Sequence, residues 1–222
     1  MRVVSLVPSV TESLLAWGVT PIAVTRFCEQ PSLPTVGGTK DPDVAAIVVL
    51  APDLVVVNDE ENRLEDHDAL VAAGLDVHVV RVVSVHDVPP AMAALRVRLG
   101  LDPEPIVLPE ARPPSGRQAF VPIWRRPYMS LSRDTYGSSV LAHVGVTNAL
   151  DAAVERYPEI ELADVEADVV LAPSEPYPFT ERFRAELEVV APVVFVDGRD
   201  LFWWGVRTPH ALRRLETTIA GP

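Results

Sequence analysis

The chain has 222 residues, is 48% hydrophobic and carries a formal net charge of −12. That length and apolar content suffice for one large core or two small ones, and the acidic surface would repel phosphate backbones, which excludes nucleic acid as a partner. Cys28 is the only cysteine, which rules out an intrachain disulfide.

Val3 to Val7 is apolar and β-branched, as a buried parallel strand should be. Pro8 ends it, and Ser9 or Thr11 is expected to cap a helix that runs to Gly18. Ile22 to Thr25 reads as a second short strand, closed by Arg26-Phe27-Cys28-Glu29-Gln30-Pro31. VGGTKDPD (Val36 to Asp43) is a turn before a helix over Val44 to Leu50, and Leu54 to Val57 is the third strand. Asn58 to Gly74 starts with capping residues and ends in glycine, which predicts a helix, and Val77 to Val83 is the fourth strand. Val88 to Leu99 is helix-like. Leu101 to Gly116 then holds five prolines and reads as a stiff connector. The pattern resumes with a strand at Gln118 to Ile123 and a helix capped by Ser132 or Asp134 that ends near Gly145. Strands follow at Val169 to Ala172 and Val193 to Val196, and a closing helix at Pro209 to Ile219.

Alternating strands and helices predict an α/β fold of two lobes, each a mostly parallel sheet flanked by helices. The expected division is an N-terminal lobe over 1–84, a bridging helix and connector over 85–117, and a C-terminal lobe over 118–222. An internal repeat supports two lobes. Asp53 to Val80 and Asp168 to Val196 both pass from Asp through an apolar run to a turn bearing a glutamate, then through an acidic stretch to a second valine-rich run. Glu60 and Glu175 hold the same place in the two copies.

In parallel α/β sheets, ligands meet the loops at the carboxyl ends of the strands. Those ends are polar and aromatic here, and Trp124, Trp203 and Trp204 all lie in them. The candidate ligand-binding set is Ser9, Cys28, Glu60, Arg63, Trp124, Arg126, Arg133, Glu175, Tyr177 and Trp204. Aromatics would stack on a planar ligand, arginines would hold its acidic groups, and glutamates would accept hydrogen bonds or engage a partner. Each has a plainer reading: helix cap for Ser9 and Thr11, helix start for Glu60 to Arg63, edge cover for Trp203 and Trp204, solvated surface for the arginines.

Catalytic templates are missing: there is no G-x-S-x-G elbow, P-loop or H-E-x-x-H. Gly37 to Lys40 suggests a phosphate cradle but lacks the spacing. The five histidines are scattered without ligand spacing, so no protein-built metal site is expected. No run approaches the roughly 18 apolar residues of a membrane span, so membrane insertion is not expected. Met1-Arg2 runs at once into the first strand, so no leader is expected ahead of it. The expectation is a cytoplasmic protein, or an extracytoplasmic one if the chain is trimmed.

RVVSLVPSVTESLLAWG, then a short strand, a polar turn ending at Pro31, and PDLVVV resemble the helical-backbone metal receptors, or class III periplasmic binding proteins. The likeness is to the cobalamin- and iron-siderophore-binding type of these, cobalamin-binding proteins foremost. VGGTKDPD, NDEENR and SEPYPF are similar to a soluble subgroup without an export signal. The resemblance implies two bridged lobes with a small-molecule ligand in the cleft, a corrinoid or metal chelate arriving as ligand, no built-in cofactor, and an ABC permease as partner. Two alternatives stand beside this reading: a cytosolic enzyme on the same fold using Cys28, Glu60 and Arg133, and an exported substrate-binding component of an ABC transporter.

Overall fold

The computed structural model describes residues 1–220. The chain forms two compact units. One comprises 1–82, 87–106 and 204–206; the other comprises 83–86, 107–203 and the remainder from 207. The bridging region is thus shared: its helix and the start of the proline-rich stretch, to Ile106, belong to the first unit, and the rest of that stretch to the second.

The first unit holds β1 (Val3–Ser5), α1 (Pro8–Ala16), β2 (Ala23–Val24), α2 (Val44–Leu50), β3 (Leu54–Asn58), α3 (Leu64–Ala72), β4 (Val77–Val80) and α4 (Val88–Arg98). Its four strands are parallel, in the order β2-β1-β3-β4. The second holds β5 (Gln118–Phe120), β6 (Tyr128–Met129), α5 (Tyr136–His143), β7 (Thr147–Asn148), β8 (Glu159–Ile160), β9 (Val169–Pro173), α6 (Arg184–Leu187), β10 (Val193–Val196), α7 (Gly198–Phe202) and α8 (Thr208–Ala220). Its main sheet is also parallel, in the order β10-β9-β5-β7. Counted by succession within each unit, both sheets run second, first, third, fourth. The repeat seen in the sequence is therefore a repeat of topology. β6 and β8 add a small antiparallel pair.

The cores follow from the valine-rich runs. Val4, Leu6, Ala23, Val36, Ile47, Val55, Val57 and Leu70 pack together in the first unit. Phe120, Val170, Ala172, Phe179, Phe183, Leu187, Ala191 and Val193 do so in the second. Every residue of β3 and of β9 is buried, as expected of central parallel strands covered on both faces.

Helix starts differ from expectation. The N-cap of α1 is Val7, with Pro8 in the first turn, because proline's fixed φ and missing N–H suit that position. Ser9 and Thr11 therefore lie inside the helix, and Thr11 turns its hydroxyl back to the Val7 carbonyl at 3.1 Å. Thr135, not Ser132 or Asp134, caps α5, its side chain accepting from Ser138 N–H. The helix expected over 58–74 is limited to Leu64–Ala72, because Asn58 folds the preceding residues into a turn. The connector is fastened along its length. Arg112 N–H donates to His143 O at 2.8 Å, and Ser115 N–H to Gly145 O at 2.8 Å.

Candidate ligand-binding site

In the first unit, the loops at the carboxyl ends of the strands are tied by two buried asparagines. Asn58 Oδ1 accepts from the N–H groups of Glu60 and Glu61, both at 2.9 Å. Its Nδ2 donates to Val80 O at 2.9 Å. Asn62 Oδ1 accepts from Asn58 N–H at 2.8 Å, and Asn62 Nδ2 donates to Thr39 O at 2.9 Å. Lys40, the only lysine, donates to the Glu60 carbonyl at 2.7 Å. Glu60 thus sits, half-buried, on a turn fixed from several sides. The glycine pair before Lys40 is not an open cradle: a β-carbon on Gly38 would meet the Arg26–Asp41 ion pair, so that space is filled.

Ser9 is 1% exposed, and its hydroxyl has no hydrogen-bond partner among the described residues. Cys28 is 2% exposed. Its sulfur lies 3.2 Å from the hydroxyls of both Thr11 and Thr25. Burial pushes the thiol pKa up despite these hydrogen bonds, so the group stays protonated and is a poor nucleophile. Arg63 is exposed and engaged with Asp66 in its own helix's first turn. Trp204 is 3% exposed. It leads into Gly205, whose φ of +116° and closeness to Ser13 leave no room for a side chain.

The second unit carries the more open features. Only two residues separate β1 from α1, but fifteen separate β5 from α5. Trp124, Arg126 and Arg133 all lie in that longer connection. Trp124 is 46% exposed. Tyr177 meets its ring edge-on at 5.6 Å, and Tyr177 rests in turn on Phe179 at 4.9 Å and Phe183 at 5.8 Å. The indole is therefore backed by a packed aromatic stack while keeping a large accessible area. Arg126 and Arg133 are exposed.

Arg125, next to Arg126 in the sequence but outside the candidate set, is the structural member of the pair. It grips Glu186 with two hydrogen bonds, at 2.9 and 3.1 Å, and lies 5.1 Å over the Phe183 ring. Tyr128 donates to the same carboxylate at 2.7 Å. Glu175 is half-buried, with its backbone pressed on Gly198, where a β-carbon would come within 2.5 Å of Glu175 O. Ser174 Oγ accepts from Gly198 N–H at 3.0 Å and joins the loops after β9 and β10. Glu60 and Glu175 each lie two residues beyond the end of the third strand of their unit, β3 and β9.

The structure thus joins Trp124 and Tyr177 by ring contact, with Glu175 in the same loop as Tyr177, whereas Ser9, Cys28, Glu60 and Arg63 lie in the first unit without contacts to one another among those described. Among the described residues there is no group of three or more His, Cys, Asp or Glu side chains able to hold a metal ion. Among these residues no helix is long and apolar enough to cross a membrane.

Two parallel sheets of the same order give the chain a fold shared with periplasmic binding proteins of known structure. Over 99% of its length the chain superposes on 96% of the periplasmic vitamin B12-binding protein BtuF of Vibrio cholerae, with a TM-score of 0.78 at 17% identity. Over 97% it superposes on 96% of the periplasmic heme-binding protein RhuT from Roseiflexus sp. RS-1, with a TM-score of 0.76 at 20% identity. At these identities the likeness is one of fold. In sequence, 100 residues are 31% identical to the vitamin B12-binding protein of Salmonella paratyphi A, covering 43% of this chain and 38% of that protein. No protein-family model matches the chain.

Proposed function

We propose that this protein binds a small, planar or metal-chelating molecule, of the corrinoid, heme or ferric-siderophore kind, at its strand-end rims. The observation that carries this reading is Trp124, a tryptophan with much of its ring accessible, braced edge-on by Tyr177 on a buried aromatic stack. A free surface indole without such support would give up conformational entropy on stacking; a braced one is already oriented. Arg126 and Arg133 in the same connection supply cations for the acidic groups of the ligand. The fold likeness to vitamin B12- and heme-binding proteins adds support. Metal would arrive inside the ligand.

Glu60 and Glu175, at equivalent positions of the two units, are assigned to ligand hydrogen bonding or to docking on a permease. The structural neighbours are periplasmic proteins, which supports a periplasmic location over the cytoplasmic one expected from the sequence. The buried, protonated Cys28 gives no support to the enzyme alternative. Mass spectrometry of the small molecule retained by protein purified natively from its source organism tests the proposal. A corrinoid, porphyrin or chelated iron at near-equal stoichiometry is expected. A retained metabolite that is neither planar nor metal-bearing overturns it.

A further inference from the structure

His143 closes α5 and is 7% exposed. Its Nε2 lies 3.0 Å from Pro109 O. A carbonyl only accepts, so Nε2 carries a proton, and in the neutral ring Nδ1 is a bare lone pair. That Nδ1 is buried and has no hydrogen-bond partner among the described residues. A buried acceptor of this kind ordinarily has a partner, and leaving it without one costs about 1–3 kcal/mol. An imidazole that donates one ring N–H to a backbone carbonyl and offers the other nitrogen bare has the form of a metal ligand with its outer support already in place.

A second imidazole stands beside it. The His86 ring centroid is 6.1 Å from that of His143. The placement is built in: Val85 N–H donates at 2.9 Å to Ser139 Oγ, one helical turn before His143 on the same face of α5. Two imidazoles sharing one ion, with metal–nitrogen bonds of about 2.0–2.1 Å, hold their ring centres about 5–5.5 Å apart. His86 is exposed and can turn to close the difference. The two histidines are 57 positions apart, so no spacing rule pairs them.

The geometry points to a two-histidine site for a borderline divalent cation, Zn2+ or Ni2+, with His143 Nδ1 and His86 as ligands and water completing the shell. Imidazole suits these ions, whereas oxygen-seeking Mg2+ and Ca2+ would not take it. The ion would tie residue 86, the end of α5 and, through Nε2–H, the connector at Pro109. It is independent of the small-molecule reading, since neither histidine is among the residues assigned to ligand binding.

Isothermal titration of the metal-free full chain with Ni2+ and Zn2+ tests it, with His86→Ala as the variant. His86 is exposed, so its loss should leave the fold intact, which circular dichroism verifies. One ion per chain is expected, with affinity weakened at least about tenfold in His86→Ala and unchanged in His210→Ala. The ion should also raise the melting temperature of the wild type and not of His86→Ala. Equal weakening in His210→Ala means scattered surface-histidine binding and overturns the site. So does no binding at all, which leaves Nδ1 to a buried water.

Discussion

Asp53 and Asp168 make the same pair of bonds in the two units. Asp53 accepts from Arg2 N–H at 2.6 Å and returns its own N–H to Arg2 O at 2.8 Å. Asp168 accepts from Gln118 N–H at 2.7 Å and returns its N–H to Gln118 O at 2.8 Å. Each aspartate thereby sets the register in which the third strand of its unit meets the first. Replacing either by Ala should cost about 0.5–1.5 kcal/mol, while Asn, which keeps an acceptor, should cost less. Urea unfolding of the four single variants checks both the size and the ranking.

Trp204 is expected to matter for stability and little for affinity. Its ring is buried, so Trp204→Ala should cost about 3–5 kcal/mol through the cavity it leaves. Gly205→Ala should be costly as well, about 1–3 kcal/mol, since φ is +116° and Ser13 occupies the space a β-carbon needs. Thermal melts of both variants should show early unfolding, and Trp124→Ala, at an exposed position, should melt close to the wild type.

The Arg125–Glu186–Tyr128 cluster gives the stability a defined pH dependence. Hydrogen bonding from Arg125 holds the Glu186 carboxyl below its ordinary range, against burial. A lowered folded pKa stabilises above the unfolded value of about 4.3, and that contribution is lost as pH falls through the folded one. Tyr128 has the opposite sign. Burial first, then its bond to Glu186, pushes the phenol up to about 12. Its contribution is whole below the unfolded pKa of about 10 and is lost as pH rises from there through the folded value. In Glu186→Gln both limbs should flatten, and phenolate absorbance should show one tyrosine ionising earlier than in the wild type. Unchanged limbs in that variant would contradict the assignment.

Gly198→Ala should act on the site and not only on the fold. An added methyl would strike the Glu175 backbone, so the loop bearing Glu175 and Tyr177 must shift. Ligand affinity should fall even where circular dichroism is unchanged. Affinity equal to the wild type would show that this loop takes no part in binding.

The parts of the fold legible in the sequence are those decided locally. Val44 to Leu50 is helical between the limits expected, because Asp43 accepts from Ala46 N–H at 2.9 Å and Ala51 exits in a left-handed turn. Val193 to Val196 is likewise the strand expected. The first helix cap is not legible locally, because Pro8 fills the first turn and moves the cap to Val7, a residue with no capping side chain. The sequence carries a further trace of the repeat. Gly18-Val19-Thr20 and Gly145-Val146-Thr147 both end helices, with glycine φ of +75° and +80°. Their spacing differs from that of Asp53 and Asp168 because the long Trp124-bearing connection precedes α5 in the second unit.

At the site, the equivalence of Glu60 and Glu175 was readable from the repeat. The roles of Asn58, Asn62, Gly198 and Glu186 were not, since each depends on a partner brought close only by folding. Arg125 and Arg126 are neighbours in sequence, and nothing local tells which of them pairs with a carboxylate 61 residues away.

Calorimetric titration with cobalamin, hemin and a ferric siderophore, on wild type and Trp124→Ala, tests the central claim most directly. One of the three should bind at one per chain, quench tryptophan fluorescence, and weaken by about tenfold or more in Trp124→Ala, a loss near the upper end of aromatic pair energies. Arg133→Ala should weaken an acidic ligand in a salt-dependent way, and Trp124→Ala in a salt-independent one. No binding of any of the three at high micromolar concentration, or binding indifferent to Trp124, would contradict the account.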